Sequence, residues 1–272
     1  MHFSSVTTTS LAPRVVRQAD DEAQIDVSTK KICLLTTAHL TNNPRLVKEA
    51  NALHACGYLV TVVACRHDAT LIESDMRIMQ SSGWSAHIVD WSREGNPRLF
   101  WFSRFRRIVC HSILVVFRWL CRTGGPEWLE MRSIHRVLPE IRRKAEKTKA
   151  DVFVGHNPGT LPIAWRIAWQ SGAKCGFDAE DFHSGMTRDG EKQSTEAEVN
   201  RRWESRYLPR YDFLTAAAPL IAEEYMRRYP VNFDAVVLNV FDPARVDETG
   251  HDVDFGGLAL YWISQSIGAN RG

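Results

Sequence analysis

Three features of the chain predict an α/β fold, a parallel sheet with helices on its faces. Residues 31–37 (KICLLTT) and 58–64 (YLVTVVA) are continuous apolar runs, the mark of strands buried on both sides. Between them Pro44 suits a first helical turn, Leu46, Val47, Ala50, Leu53 and His54 recur on one helical face, and Gly57 closes the segment. The same pattern returns later: residues 151–155 and 174–177 are short apolar runs flanking a helix-spaced stretch, 162–171, that stops at Gly172. Strand, helix and strand repeated in this way build a Rossmann-like parallel sheet flanked by helices.

Composition narrows the function classes. The chain has 272 residues, enough for one large domain or two small ones, with 44% hydrophobic and 24% charged residues, ordinary for a soluble globular protein. A net charge of +2 gives a nucleic-acid partner no support, although basic residues crowd between Arg98 and Arg143. The six cysteines form no C-x-x-C pair, and three fall in predicted strands, where a free thiol behaves as a small hydrophobe. This fits a reducing, cytoplasmic setting better than disulfides or zinc. Residues 1–30 are Ser/Thr-rich and then acidic, without the apolar core of a signal peptide, and read as a disordered lead-in. No run of about 20 apolar residues exists, so a conventional membrane span is not expected.

The remaining elements follow in order. Residues 66–83 read as irregular or partly helical and 86–90 as a third short strand. Residues 98–122 are dominated by aromatic and aliphatic side chains with six interspersed arginines. Such a segment can lie in a membrane interface, arginines toward phosphates, or be a core helix whose arginines reach solvent at its ends. Arg118 interrupts the apolar stretch, so surface contact is the most it allows. After Gly124-Gly125-Pro126, residues 127–149 read as one long charged helix with Leu129, Ile134, Leu138, Ile141 and Ala145 inside. A polar helix at 191–211, a strand at 211–216, a helix at 219–229 and a strand at 235–238 ending at Asn239 come next. Residues 240–257 look like a linker, and 258–263 begin one more buried strand. The expected organisation is a tail at 1–30, a domain at 31–245, and at 246–272 a linker with the first strand of a further domain.

Chemistry concentrates at two turns. Parallel strands joined by a helix bring their ends to one edge of the sheet, where open α/β folds bind ligands. That edge should carry His156, Asn157 and Gly159 from one turn and Asp178, Glu180, Asp181 and His183 from the other. Asn42, Asn43 and Arg45 open the first helix, where amides and a cation can face a phosphate or merely start the helix. His39 ends the first strand and reads as an exposed loop histidine. No helix-spaced His/Glu pair suits zinc, so no metal is expected. No G-x-G-x-x-G follows the first strand, which removes a nicotinamide dinucleotide from consideration.

Six segments in order (42–63, 150–164, 177–185, 204–230, 236–243 and 258–272) resemble the N-terminal half of retaining glycosyltransferases of family 4. These enzymes have the GT-B architecture of two facing Rossmann-like domains. The resemblance covers residues 31–272 and implies transfer of a sugar from a nucleotide sugar to a glycan or lipid-linked acceptor, with retained configuration and no required metal or cofactor. It places His156 and Asp181 as the catalytic positions. It matches Asp178, Glu180, Asn239 and Gly268 to family positions, and together with Asn42, Asn43, Arg45, Asn157 and His183, singled out for their chemistry, these are the candidate substrate-binding residues. Two departures stand out: Glu180 replaces the usual histidine of the Asp178–Asp181 segment, and His39-Leu40-Thr41-Asn42-Asn43 replaces a Gly-Gly pair. The paired glutamates of the donor domain are not in the sequence, so an acceptor-side half that is inactive alone is expected. The alternative is a non-enzymatic module that binds a sugar or lipid-linked acceptor and works with a partner subunit.

Overall fold

The computed structural model describes residues 30–121, 124–185 and 195–240. The element order is β1 (Lys31–Leu35), α1 (Pro44–Ala55), β2 (Leu59–Arg66), α2 (Ile72–Ser81), β3 (Ser85–Asp90) and α3 (Pro97–Cys121). Then come α4 (Glu127–Ile134), α5 (Leu138–Thr148), β4 (Val152–Gly155), α6 (Leu161–Ser171) and β5 (Lys174–Ala179). The described chain closes with α7 (Thr195–Tyr207), β6 (Phe213–Ala216), α8 (Pro219–Arg228) and β7 (Ala235–Val236). All described strands run parallel in the order β3-β2-β1-β4-β5-β6-β7, which is the predicted Rossmann-like sheet.

The continuous apolar strands do bury both faces. Cys33 and Leu35 of β1 join Leu138, Ile141, Phe153, Leu161 and Trp203 in one core, while Ile32 and Leu34 join Leu46, Ala50, Val60 and Trp84 in the other. A period of two along each strand divides the side chains between the layers. Burial raises the thiols of Cys33 and Cys65 to about 12 and that of Cys175 to about 11, so the strand cysteines are inert packing groups.

Three expectations need correction. Residues 127–149 are two helices rather than one: α4 stops at Ile134, His135 is extended, and α5 restarts at Leu138 with Pro139 in its first turn. A proline in the interior of one continuous helix lacks a donor and collides with the carbonyl four residues back, so the break falls where a first turn can accept it. The strand read at 174–177 extends to Ala179, which moves Asp178 out of the loop and into the buried strand end. His39 is fully buried, not exposed. The linker and strand expected beyond residue 240, and the tail at 1–29, lie outside the described residues.

Two glycines show different constraints. Gly57 ends the turn after α1 at φ +89°, with open space where a Cβ would stand. A Cβ at Gly176 in β5 would lie 2.0 Å from the ring of Phe213 on the neighbouring strand. Gly57→Ala should therefore cost only about 1 kcal/mol of left-handed strain. Gly176→Ala should cost clearly more because the aromatic ring must move, and urea denaturation of the two variants ranks them.

Candidate functional site

The chain leaves β1 toward β2 on one side and later returns to place β4 on its other side, so the sheet has its switch point between β1 and β4. The C-terminal ends of flanking strands part there and leave a crevice. Around it stand α1, the end of β4 and the end of β5.

The crevice is held together by Asn157. Its Oδ1 accepts from Thr36 Oγ1 at 2.6 Å and from the Thr37 amide at 3.0 Å, tying the turn after β4 to the end of β1. Thr160 Oγ1 donates to the Asn157 carbonyl at 2.6 Å and closes that turn. Asn43 caps α1, its Oδ1 accepting from the Leu46 amide at 3.0 Å, and is buried. Asn42 beside it is exposed.

A charged cluster lies on this frame. Arg45 donates through Nε and Nη2 to the two oxygens of Asp178, the second bond at 2.8 Å, and through Nη1 to the carbonyl of Val237. Thr215 Oγ1 of β6 adds a bond to Asp178 Oδ1 at 2.5 Å. His156 is fully buried, with Nδ1 3.1 Å from Glu180 Oε1 and 3.6 Å from Asp178 Oδ2, and Nε2 2.8 Å from Glu49 Oε2. Nε2 thus faces the Glu49 carboxylate as an ion pair. Burial alone would depress the imidazolium, but bonding and charge from Glu180, Glu49 and Asp178 outweigh it and raise the His156 pKa to about 10. Near neutral pH the cluster therefore sets two cations against three carboxylates.

The other anticipated positions scatter around this centre. Glu180 keeps part of its side chain in solvent, as does Glu49. Asp181 is exposed, and its backbone carbonyl accepts from the Tyr225 hydroxyl at 3.2 Å. His183 begins a short 3-10 turn (His183–Gly185), and burial lowers its pKa. Asn239 is exposed beyond β7, where its Oδ1 accepts from Lys48 Nζ at 3.0 Å. Gly268 lies outside the described residues. His39 does not join the cluster: Nδ1 meets Asp75 at 2.7 Å, and Nε2 accepts from the amides of His67 and Asp68 at 2.9 and 3.0 Å. Both ring nitrogens are spent on holding two loops together.

Sequence reasoning missed Glu49 and Thr215. Glu49 follows Arg45 by four residues on α1 and so shares its face, a spacing that could have revealed it. Thr215 becomes relevant only through the β5–β6 register, which pairs it with Asp178. Glu49, His156 and Asp178 each offer an atom within 4.8 Å of the others, close enough for one metal ion. The Arg45 guanidinium already engages both oxygens of Asp178.

No protein-family model and no curated protein matches the chain. It is similar to solved structures in backbone architecture. Anabaena Alr3699/HepE in complex with UDP and glucose matches with a TM-score of 0.46 at 10% identity, over 78% of this chain and 45% of that one. Sucrose-phosphate synthase from Thermosynechococcus elongatus matches with a TM-score of 0.47 at 11% identity, over 77% and 47%. TcCGT1 in complex with UDP matches with a TM-score of 0.45 at 12% identity, over 74% and 47%. The chain thus spans about half the length of these proteins.

Two outcomes follow from the cluster. Native His156 keeps its proton up to about 10, whereas the unfolded residue loses it near 6.5. Between those values the native state binds the extra proton, so the contribution is complete below 6.5 and vanishes as pH rises toward 10. The slope reaches about 1.4 kcal/mol per pH unit. Circular-dichroism melts across this range should show a falling midpoint that His156→Gln flattens. Removing Asp178 leaves Arg45 buried without its partner, so Asp178→Ala should cost about 3–5 kcal/mol in urea unfolding. The paired replacement Arg45→Met with Asp178→Leu should cost less.

Proposed function

We propose that this domain is the acceptor-side half of a retaining glycosyltransferase that uses a nucleotide sugar. The observation that carries the reading is the carboxylate-rich ring around His156 at the switch point of the sheet. A carboxylate is an acceptor for sugar hydroxyls, and the side chains of Glu180 and Glu49 are both partly in solvent. The same ring is a poor seat for a diphosphate. The donors of Arg45 go to Asp178 and Val237, and His156 is balanced by carboxylates, so no net positive charge faces the crevice.

On this reading the acceptor hydroxyl lies against Glu180 and Glu49, and Asp181 is the exposed carboxylate that positions or deprotonates it. His156 orients the carboxylates rather than exchanging protons near neutral pH, because its proton is held well above that range. On the same reading the nucleotide part of the donor is held by groups other than those of this cluster. Retention would arise on the donor side, where the departing phosphate can guide the incoming hydroxyl to the face it leaves. The same proposal places the protein against a membrane surface through α3, so that a lipid-linked acceptor is within reach. A non-enzymatic acceptor-binding module working with a partner subunit is the second reading, favoured by the internal neutralisation of Arg45 and His156.

Saturation-transfer NMR with a panel of mono- and disaccharides, UDP and GDP tests the assignment. Saccharide signals that Glu180→Gln and Glu49→Gln abolish, with weak nucleotide signals insensitive to both, are expected. Tight nucleotide binding that these variants remove would reverse the acceptor assignment. Transfer from a labelled nucleotide sugar should be undetectable for residues 1–272 alone, and robust turnover would rule out the half-enzyme reading.

A further inference from the structure

The helix α3 meets the rest of the protein along a narrow strip. Of its 25 residues only Ser103, Cys110 and Leu114 are buried. On a helical wheel of about 100° per residue, Trp101, Phe105, Ile108, Val116 and Trp119 point the opposite way, and all are exposed, Phe105 by 69% and Trp119 by 76%. One shoulder between these two faces carries Arg104, Arg107, His111 and Arg118, and α3 contains no acidic residue. Arg118 is paired with Glu198, whereas Arg104 and Arg107 are exposed.

Beside the apolar face this shoulder opens a cleft of about 370 Å³ lined by Arg104, Arg107, His111, Ser112, Ile108 and Arg136. Its floor is built rather than incidental. Arg136 comes from the break between α4 and α5, donates through Nε to Ser103 Oγ at 3.2 Å, and is sandwiched at 4.4 Å by both Trp91 and Phe100. Arg107 donates to the Ser133 carbonyl at 3.2 Å. Burial, then the charges of Arg104 and Arg107, depress the Arg136 pKa. Three guanidinium groups are thus held together with no carboxylate among the residues lining the cleft.

Resting on the membrane placement proposed above, we infer that the cleft of Arg104, Arg107, His111 and Arg136 seats the phosphate of an anionic lipid headgroup, while the apolar face of α3 enters the acyl boundary. Charge decides the occupant. A second copy packed α3 to α3 would set Arg104 and Arg107 against their own copies, with no acid on α3 to answer them. A bilayer of neutral lipid would match the apolar face and leave the cleft unanswered. An anionic lipid surface satisfies both, with Trp101 and Trp119 at the depth that indole rings favour and arginines at the phosphates.

The test is vesicle flotation of the full chain with phosphatidylglycerol-containing and pure phosphatidylcholine vesicles. Each arginine near an anionic surface contributes roughly fivefold in affinity, so Arg104→Gln should lose about that factor for the anionic vesicles alone. Arg104→Gln with Arg107→Gln should lose about 25-fold. Lys147→Gln with Lys149→Gln removes the same charge from α5 and its end and should leave the preference unchanged. Phe105→Ser with Trp119→Ser should lose binding to both vesicle types. If the double arginine variant keeps the wild-type preference, the headgroup cleft is overturned and the membrane placement stands. If the wild type binds neither vesicle, or forms a discrete dimer that Phe105→Ser with Trp119→Ser dissolves, the placement itself falls, and the cleft with it.

Discussion

Arg45 leaves the second position of α1, spans the crevice to both carboxylate oxygens of Asp178 at the end of β5, and reaches the carbonyl of Val237 beyond β7. One guanidinium thereby fixes the first helix to the far half of the sheet. The arrangement is stable only while every lone pair is answered, because two charges leave water to form it. Thr215 and His156 complete Asp178, and Glu180 and Glu49 complete His156. The crevice is therefore a single charged unit in which each group sets the position of the next. It is also the reason the site has defined geometry at the junction of four strands.

Much of the architecture was legible in the chain because the strands are buried on both faces and write themselves as unbroken apolar runs. The helices were legible where proline and glycine bracket them, as at Pro44 and Gly57 or at Gly172. Pro139 was the signal overlooked in the segment after Pro126, where charge and a plausible inner stripe concealed a break. The candidate site was half legible. His156, Asp178 and Glu180 converge as the two turns suggested, whereas Asn157 and Asn43 are spent on tying strands and capping α1. Asp75 hides why His39 is buried, since the aspartate is distant in sequence and looks like one polar residue of an amphipathic helix.

Electrostatics separates the protein into two regions of opposite character. The crevice carries more carboxylates than cations, and α3 carries only cations. Among the described residues no helix is long and apolar enough to cross a membrane. The apolar face of α3 must be weighed with its arginines, because each changes what the other means. An apolar stripe alone accepts any greasy partner, and an arginine cluster alone accepts any anion. Side by side on one helix they fit the anionic, apolar-cored surface proposed for them.

Position on the sheet connects the two regions. β3 ends at Asp90 on the same edge as His156, because all the described strands run parallel. Asp90 binds Ser92, and Asn96 accepts from the Leu99 amide to start α3 only a few residues later. A chain segment of that length spans at most about 3.5 Å per residue, so the start of α3 cannot stray far from the edge that carries the crevice. An acidic crevice is repelled by an anionic surface, while the arginines of α3 are drawn to it. On the membrane placement proposed above, these two forces favour an orientation with α3 toward the surface and the crevice away from it.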